Sequence, residues 1–159
     1  MNGTIPVSGL KQEAALSDIV YDKSGSTADF VADGLCLERE EMRQGYAFSI
    51  IADGKIAGGV IFTELRPKIS CWISIYTINK RWCSARCLRQ IFGMGFDVLG
   101  CSRINALISA GNSASLSLAR RCGFVVEGKM RRYGADGQDV YVLGMLREEC
   151  KFINNLRRK

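Results

Sequence analysis

The chain contains no histidine, and that absence narrows its chemistry first. Without an imidazole, Ser-His-Asp and Cys-His nucleophilic mechanisms are excluded, and proton transfer falls to a carboxylate, Tyr, Cys, Lys, Ser or water. Two stretches carry residue types that do chemistry. The first is Arg81-Trp82-Cys83-Ser84-Ala85-Arg86, which leads into a segment of helical periodicity. A helix starting there presents unpaired N–H groups and the positive end of its dipole, with Arg81 and Arg86 on its flanks. Such a stretch suits a pyrophosphate or a 3′-phosphate. It is equally an ordinary solvated loop capped by Ser84. Trp82 covers the helix start or shapes a ligand mouth, and Cys83 is a candidate reactive thiol that lacks a histidine to activate it. The second stretch is Asn112-Ser113-Ala114-Ser115, followed by Gly123-Phe124, Glu127-Gly128 and Arg131. Alone it is helix punctuation, an Asn cap and a Gly stop.

These stretches sit in a chain of 159 residues that is 47% apolar and 24% charged, with two prolines. Those are globular values for a single domain. Its parts are a weakly patterned region over 1–45, a core over 46–146 and a basic tail over 147–159 that ends in Arg157, Arg158 and Lys159. No run reaches the roughly 18 apolar residues needed to cross a bilayer. Residues 1–10 lack the basic and apolar regions of a leader, so the expectation is a cytoplasmic protein without membrane contact. The formal net charge is +6. Clusters at Arg81, Arg86 and Arg89, at Arg120 and Arg121, and at Lys129, Arg131 and Arg132 suit a polyanion, either a nucleotide cofactor or a nucleic acid. The seven cysteines are odd in number and form no CxxC pair. Reduced, mostly buried thiols are expected, and no metal site.

The elements that must position these residues follow from period and punctuation. Thr27 caps a short helix over 28–33, and residues 35–43 are helical. Strands over 46–52 and 56–65 flank Asp53-Gly54 and make a hairpin, with Gly58-Gly59 marking a bulge or a close backbone approach. A buried strand covers 69–78. The period then changes from two to 3.6 for a helix over 86–99 that Gly100 closes. Residues 103–109 alternate as a strand, Asn112 or Ser113 caps the next helix, and Gly123 ends it. A hairpin over 125–133 and 139–146 turns at 134–137. The fold class is α/β (α+β): one mixed, mostly antiparallel sheet with helices on its faces.

Taken in order, the motifs resemble the GNAT acetyltransferases from about residue 47 to residue 146. The closest-looking block covers 103–145, RINALISAGNSASLSLARRCGFVVEGKMRRYGADGQDVYVLGM. It is similar to the branch that includes ribosomal-protein N-terminal acetyltransferases: a strand before N-x-x-S, a short helix, GF, then EG, an Arg, a DG turn and a last strand. Residues 82–100 also resemble small acetyltransferases of phage genomes. The resemblance implies a GNAT-like acyl-CoA N-acyltransferase fold in which two adjacent strands splay and acetyl-CoA wedges its pantetheine between them. It implies backbone pairing of pantetheine with Ile75, Tyr76 and Thr77. Arg81, Trp82, Cys83, Ser84, Ala85 and Arg86 would form the pyrophosphate loop, with Asn112 and Ser115 beside the thioester. The acceptor would be an amine (a protein N-terminus, a lysine or a small amine) attacking directly, without a covalent enzyme intermediate.

Three positions depart from the family pattern. The loop has no glycine where Q/R-x-x-G-x-G/A is usual. Ala119 stands where a Tyr general acid is common, which leaves Ser115, Cys122 or water to protonate the thiolate. Cys71 and Trp72 stand where the strand often carries a carboxylate, which makes Glu64 the preferred base and Glu127 the second. These departures motivate a non-catalytic acyl-CoA-binding or interaction module as the alternative. A basic nucleic-acid-binding domain is the remaining reading, and no helix-turn-helix, RNP or zinc motif supports it. Residues 1–45, the turn over 65–68 and the 133–139 hairpin would shape the acceptor pocket. A monomer and a homodimer are both compatible with the sequence.

Overall fold

The structure is a computed structural model and describes residues 18–153. The leader expectation for residues 1–10 and the tail residues Arg157, Arg158 and Lys159 lie outside that range. Among the described residues seven strands form one sheet in the order β1-β2-β3-β4-β5-β7-β6. They are β1 (Ile19–Tyr21), β2 (Tyr46–Ala52), β3 (Lys55–Arg66), β4 (Ser70–Thr77), β5 (Arg103–Ser109), β6 (Val125–Met130) and β7 (Val140–Leu146). The helices are α1 (Ser26–Leu35), α2 (Arg39–Arg43), α3 (Ala85–Gly93) and α4 (Ser113–Cys122). Every strand pair is antiparallel except β4–β5.

The β2–β3 hairpin closes on Asp53 and Gly54, at φ 52 and 72. Positive φ at both central residues gives a two-residue turn the twist that its strands require. The expected irregularity beside Gly58 is present: pairing steps from Ile51↔Ile56 to Ile50↔Gly58, so Ala57 is the extra residue. The close approach is real too. A Cβ at Gly59 would lie 2.6 Å from Thr27 Cγ2 and 2.8 Å from Val31 Cγ2, so this glycine seats α1 against β3. Alternation along the strands then divides the side chains between two layers. Phe48, Phe62, Ile73, Ile104, Leu143 and Met145 face α3 and α4 in the main core, where Phe92 meets Phe124 with ring centroids 6.1 Å apart. On the opposite face, Ala28, Val31, Ala32 and Met42 of α1 and α2 cover Ala47 and Ile61.

The N-terminal region departs from expectation in three places. Strand β1 is three residues long, too short to show a period. Thr27 lies inside α1, and its N–H donates to Asp22 Oδ2 at 2.8 Å, so Asp22 supplies the cap. Burial pulls the Asp22 carboxyl up, but hydrogen bonds from Ser24 and Thr27 outweigh it and hold the group at about 2. Helix α2 begins only at Arg39, because Cys36 turns left-handed (φ 55) and ends α1 first.

The third predicted helix is α3 followed by a π turn over Met94–Val98, with Gly100 at φ 73 ending the run. Gly95 explains the widening: a Cβ there would stand 2.6 Å from Ile104 Cδ1, so the helix touches β5 directly. The start of the predicted tail is packed, since Cys150 is 1% exposed and Phe152 stacks on Phe92 at 6.3 Å. Cys71, Cys87, Cys101, Cys122 and Cys150 are buried, while Cys36 and Cys83 are exposed. Among the described residues no helix is long and apolar enough to cross a membrane.

Candidate functional site

Strands β4 and β5 run parallel but pair only over Ser70↔Arg103, Cys71↔Ile104 and Trp72↔Asn105. Past Trp72 and Asn105 they part. Residues 73–77 keep β3 on one side, residues 106–109 keep β7 on the other, and a gap separates them. Ile78 N–H donates to Ala57 O across β3 at 2.8 Å. By alternation, Ser74 and Tyr76 turn their backbone groups to β3, while Ile73, Ile75 and Thr77 turn theirs into the gap. The inner edge of the gap is therefore a short row of backbone donors and acceptors with no strand partner. Of the three residues expected there, Ile75 and Thr77 present backbone to the gap. Tyr76 presents its ring to α1, 5.4 Å from Phe30 and beneath Gly34.

Parallel strands end on the same side, so the β4–α3 loop and the β5–α4 turn both stand at the open end. A 3₁₀ turn over Lys80–Trp82 shapes the loop. Asn79 Oδ1 accepts from Arg81 N, and Cys83 N and Ser84 N donate to Lys80 O and Trp82 O. Those amides are used within the loop, which is what the missing glycines would lead one to expect. Trp82 is buried in the main core at 8% exposure. Ser84 caps α3 through Cys87 N at 3.0 Å. What remains for an anion to meet would be the first turn of α3, around Ala85, with the cationic side chains beside it.

Those cations are not idle. Arg81 pairs with Asp53 at 3.0 Å and Arg86 with Asp18 at 3.2 Å. A third cation, Arg121 of α4, lies close enough to oppose, with its charge, the burial that pushes the Cys83 thiol up. Cys83 is thus held as a thiol. The sequence signalled Arg121 only as half of a basic pair.

Across the gap, Asn112 caps α4 by accepting from Ser115 N at 3.1 Å, so these two predicted residues stand together at the mouth. Ala110 N–H donates to Asp139 O at 2.8 Å, and Ser109 Oγ donates to Gln138 Oε1 at 2.8 Å. These bonds tie the tip of the β6–β7 hairpin to the same mouth.

The predicted acid–base groups are not brought together. Glu64 is exposed on β3 at a register shift, with φ 48, level with the closed end of the gap. Asn112 lies at the open end, and from Asn105 to Ser109 alone β5 rises about 13 Å at ~3.3 Å per residue. Glu127 is bound by the Arg103 guanidinium, which holds its carboxyl below the ordinary range and occupies both oxygens, making it a poor base. Cys122 is buried, and burial pushes its thiol up to about 12, so it is no donor to a leaving thiolate. Ala119 is buried and supplies nothing in place of a Tyr.

Sequence reading missed Asn105, an 8% exposed polar residue at the point where the strands part. Its signal was a polar residue at the last paired position of an otherwise apolar strand.

No protein-family model matches the chain, and no curated protein does. Solved structures do. Spermidine N-acetyltransferase from Vibrio cholerae, in complex with CoA and spermine, is similar with a TM-score of 0.67 at 16% identity, over 82% of this chain and 95% of that one. A GNAT-family acetyltransferase from Streptococcus pneumoniae aligns with a TM-score of 0.59 at 20% identity, over 80% of this chain and 98% of that one. The chain has the GNAT acetyltransferase fold. The parting of β4 and β5 is the splay that the sequence resemblance implied for that fold. At these identities the likeness is one of architecture, and the roles of individual side chains rest on the geometry above.

Proposed function

We propose that this protein transfers an acetyl group from acetyl-CoA to a primary amine by direct attack. One observation carries the proposal: the β4–β5 ladder stops after Trp72↔Asn105 and leaves a gap edged by backbone of Ile73, Ile75 and Thr77. Pantetheine is an extended chain with two amides, and such a gap offers it strand-like pairing. Beyond the open end, the first turn of α3 with Arg81, Arg86 and Arg121 takes the phosphates, and Ser84 and Ala85 bring the backbone near. The CoA bound by the Vibrio structural neighbour supports this placement.

The chemistry needs little from the protein beyond orientation. The amine nitrogen adds to the thioester carbonyl carbon, the C–S bond breaks, and CoA leaves as a thiolate. A thiolate is a good leaving group, so water is a sufficient proton source. The amine's proton passes through water to Glu64. Of the two nominated carboxylates only Glu64 is unpaired, and it sits one strand from the gap.

The acceptor is a protein N-terminus, a lysine or a small amine. The test starts with thermal unfolding in acetyl-CoA. A ligand at a hundred times its Kd raises stability by about 2.7 kcal/mol, and no shift at millimolar ligand would sink the proposal. Thiol release with a free-N-terminal peptide, lysine and spermidine then tests turnover. Binding without release from any of them would favour the non-catalytic acyl-CoA module.

A further inference from the structure

Asn105 is buried on β5 at the last pair before the gap, with its side chain on the face of Trp72 and opposite the α3 core. Its orientation is forced by its partners. Arg103 Nε can only donate, so it fixes Asn105 Oδ1; the Cys71 carbonyl can only accept, so it fixes Nδ2, at 3.2 Å. Arg103 is held in turn by both Glu127 oxygens. That reach crosses β7 at Gly144, where a Cβ would lie 2.2 Å from Arg103 Nη2 and 2.7 Å from Glu127 Oε1. A register shift between Val126 and Gly128 leaves Glu127 as the extra residue that turns toward Arg103. Two strands, a glycine and a bulge thus lock one amide in place. That amide has two hydrogens, and only one has an acceptor among the described residues.

We propose that Asn105 is a substrate-contacting residue: its second amide hydrogen binds the acyl carbonyl oxygen of the thioester at the closed end of the gap. The inference rests on the reading that acetyl-CoA occupies that gap. A preorganised donor aimed at the acyl oxygen strengthens as negative charge develops there during attack. It contacts the acetyl group and not the rest of CoA, so its signature is a difference between two ligands.

Calorimetric titration with CoA and with acetyl-CoA reads that difference without knowledge of the acceptor. The wild type binds acetyl-CoA more tightly than CoA. In Asn105→Ala that preference shrinks by about threefold to tenfold, the worth of one hydrogen bond, while the Kd for CoA stays within about twofold. Asn105→Asp keeps the oxygen that Arg103 needs but loses the donor, and gives the same loss if the alanine variant folds poorly. Isotope-edited infrared spectra of bound [1-¹³C]acetyl-CoA show a carbonyl stretch lowered in the wild type and returned toward the free value in both variants. An unchanged preference would overturn the proposal, as would an equal loss for both ligands, which is what a purely structural Asn105 produces. Wild-type protein that binds neither ligand would overturn the occupancy reading and this proposal with it.

Discussion

At its closed end the β4–β5 pair is held by mutually fixed contacts: the buried Asn105 amide on the Cys71 carbonyl, Arg103 locked by both Glu127 oxygens, and the Ile69 carbonyl taking both Ser102 N and Arg103 N. At its open end the corresponding groups are long, exposed and charged, and their partners are exchangeable. Arg81 is 77% exposed while it holds Asp53, and Arg86 is 55% exposed while it holds Asp18. Exposed pairs of this kind are worth about 0–1 kcal/mol and are screened by salt. On the proposed function, the closed end would set geometry and the open end would set affinity. A phosphate bound there would replace carboxylates that are already in place.

The largest effect should come from removing the open-end cations. Arg86→Ala with Arg121→Ala weakens CoA by about a hundredfold in calorimetric titration, from two charge-assisted contacts of roughly 1.5 kcal/mol each, and leaves the melting temperature nearly unchanged. The opposite pattern is expected at the closed end. Gly144→Ala pushes Arg103 off Glu127, costs about 1 kcal/mol and lowers the melting temperature by roughly 2–8 °C, with a much smaller change in CoA affinity. If both substitutions moved both quantities together, the division between the ends would be wrong.

A smaller effect sharpens the contrast. Asp53→Asn or Asp18→Asn frees an arginine from its carboxylate, and each should tighten CoA by about threefold at low ionic strength and less at high salt. The smallest effect is in acid. Arg103 depresses the Glu127 carboxyl below its ordinary value of 4.5. A depressed pKa means stability that is present above 4.5 and lost as pH falls through the folded-state value. Melting curves below pH 4.5 should fall less steeply for Glu127→Gln than for the wild type, and coincide in slope with it at neutral pH.

Much of the fold was legible because its signals are local. The Asp53-Gly54 turn, the β5 boundaries at Arg103 and Ser109, the Asn112 cap and the Gly123 stop each need only neighbouring residues to declare themselves. What was hidden depends on distant partners. The three-residue β1 exists because β2 offers it an edge, and α1 starts where Asp22, five residues ahead of Thr27, supplies the cap. The site divides in the same way. Asn112 with Ser115, and the gap-facing backbone of Ile75 and Thr77, were readable from motif order. The contacts of Asn105 and Glu127 were not, because both depend on a glycine in a third strand. The height of Glu64 along the sheet was hidden for a related reason: it is visible only once the register of β3 against β4 is known.

The gap itself has a consequence for handling the protein. A sheet normally exposes only its two outer strands, but here the parting of β4 and β5 adds two interior rims of unpaired backbone. Such rims are templates for strand addition, by a stray peptide or by a second copy of the chain. The empty protein should therefore be the self-associating form. A ligand that fills the slot should act as a solubiliser as well as a reactant.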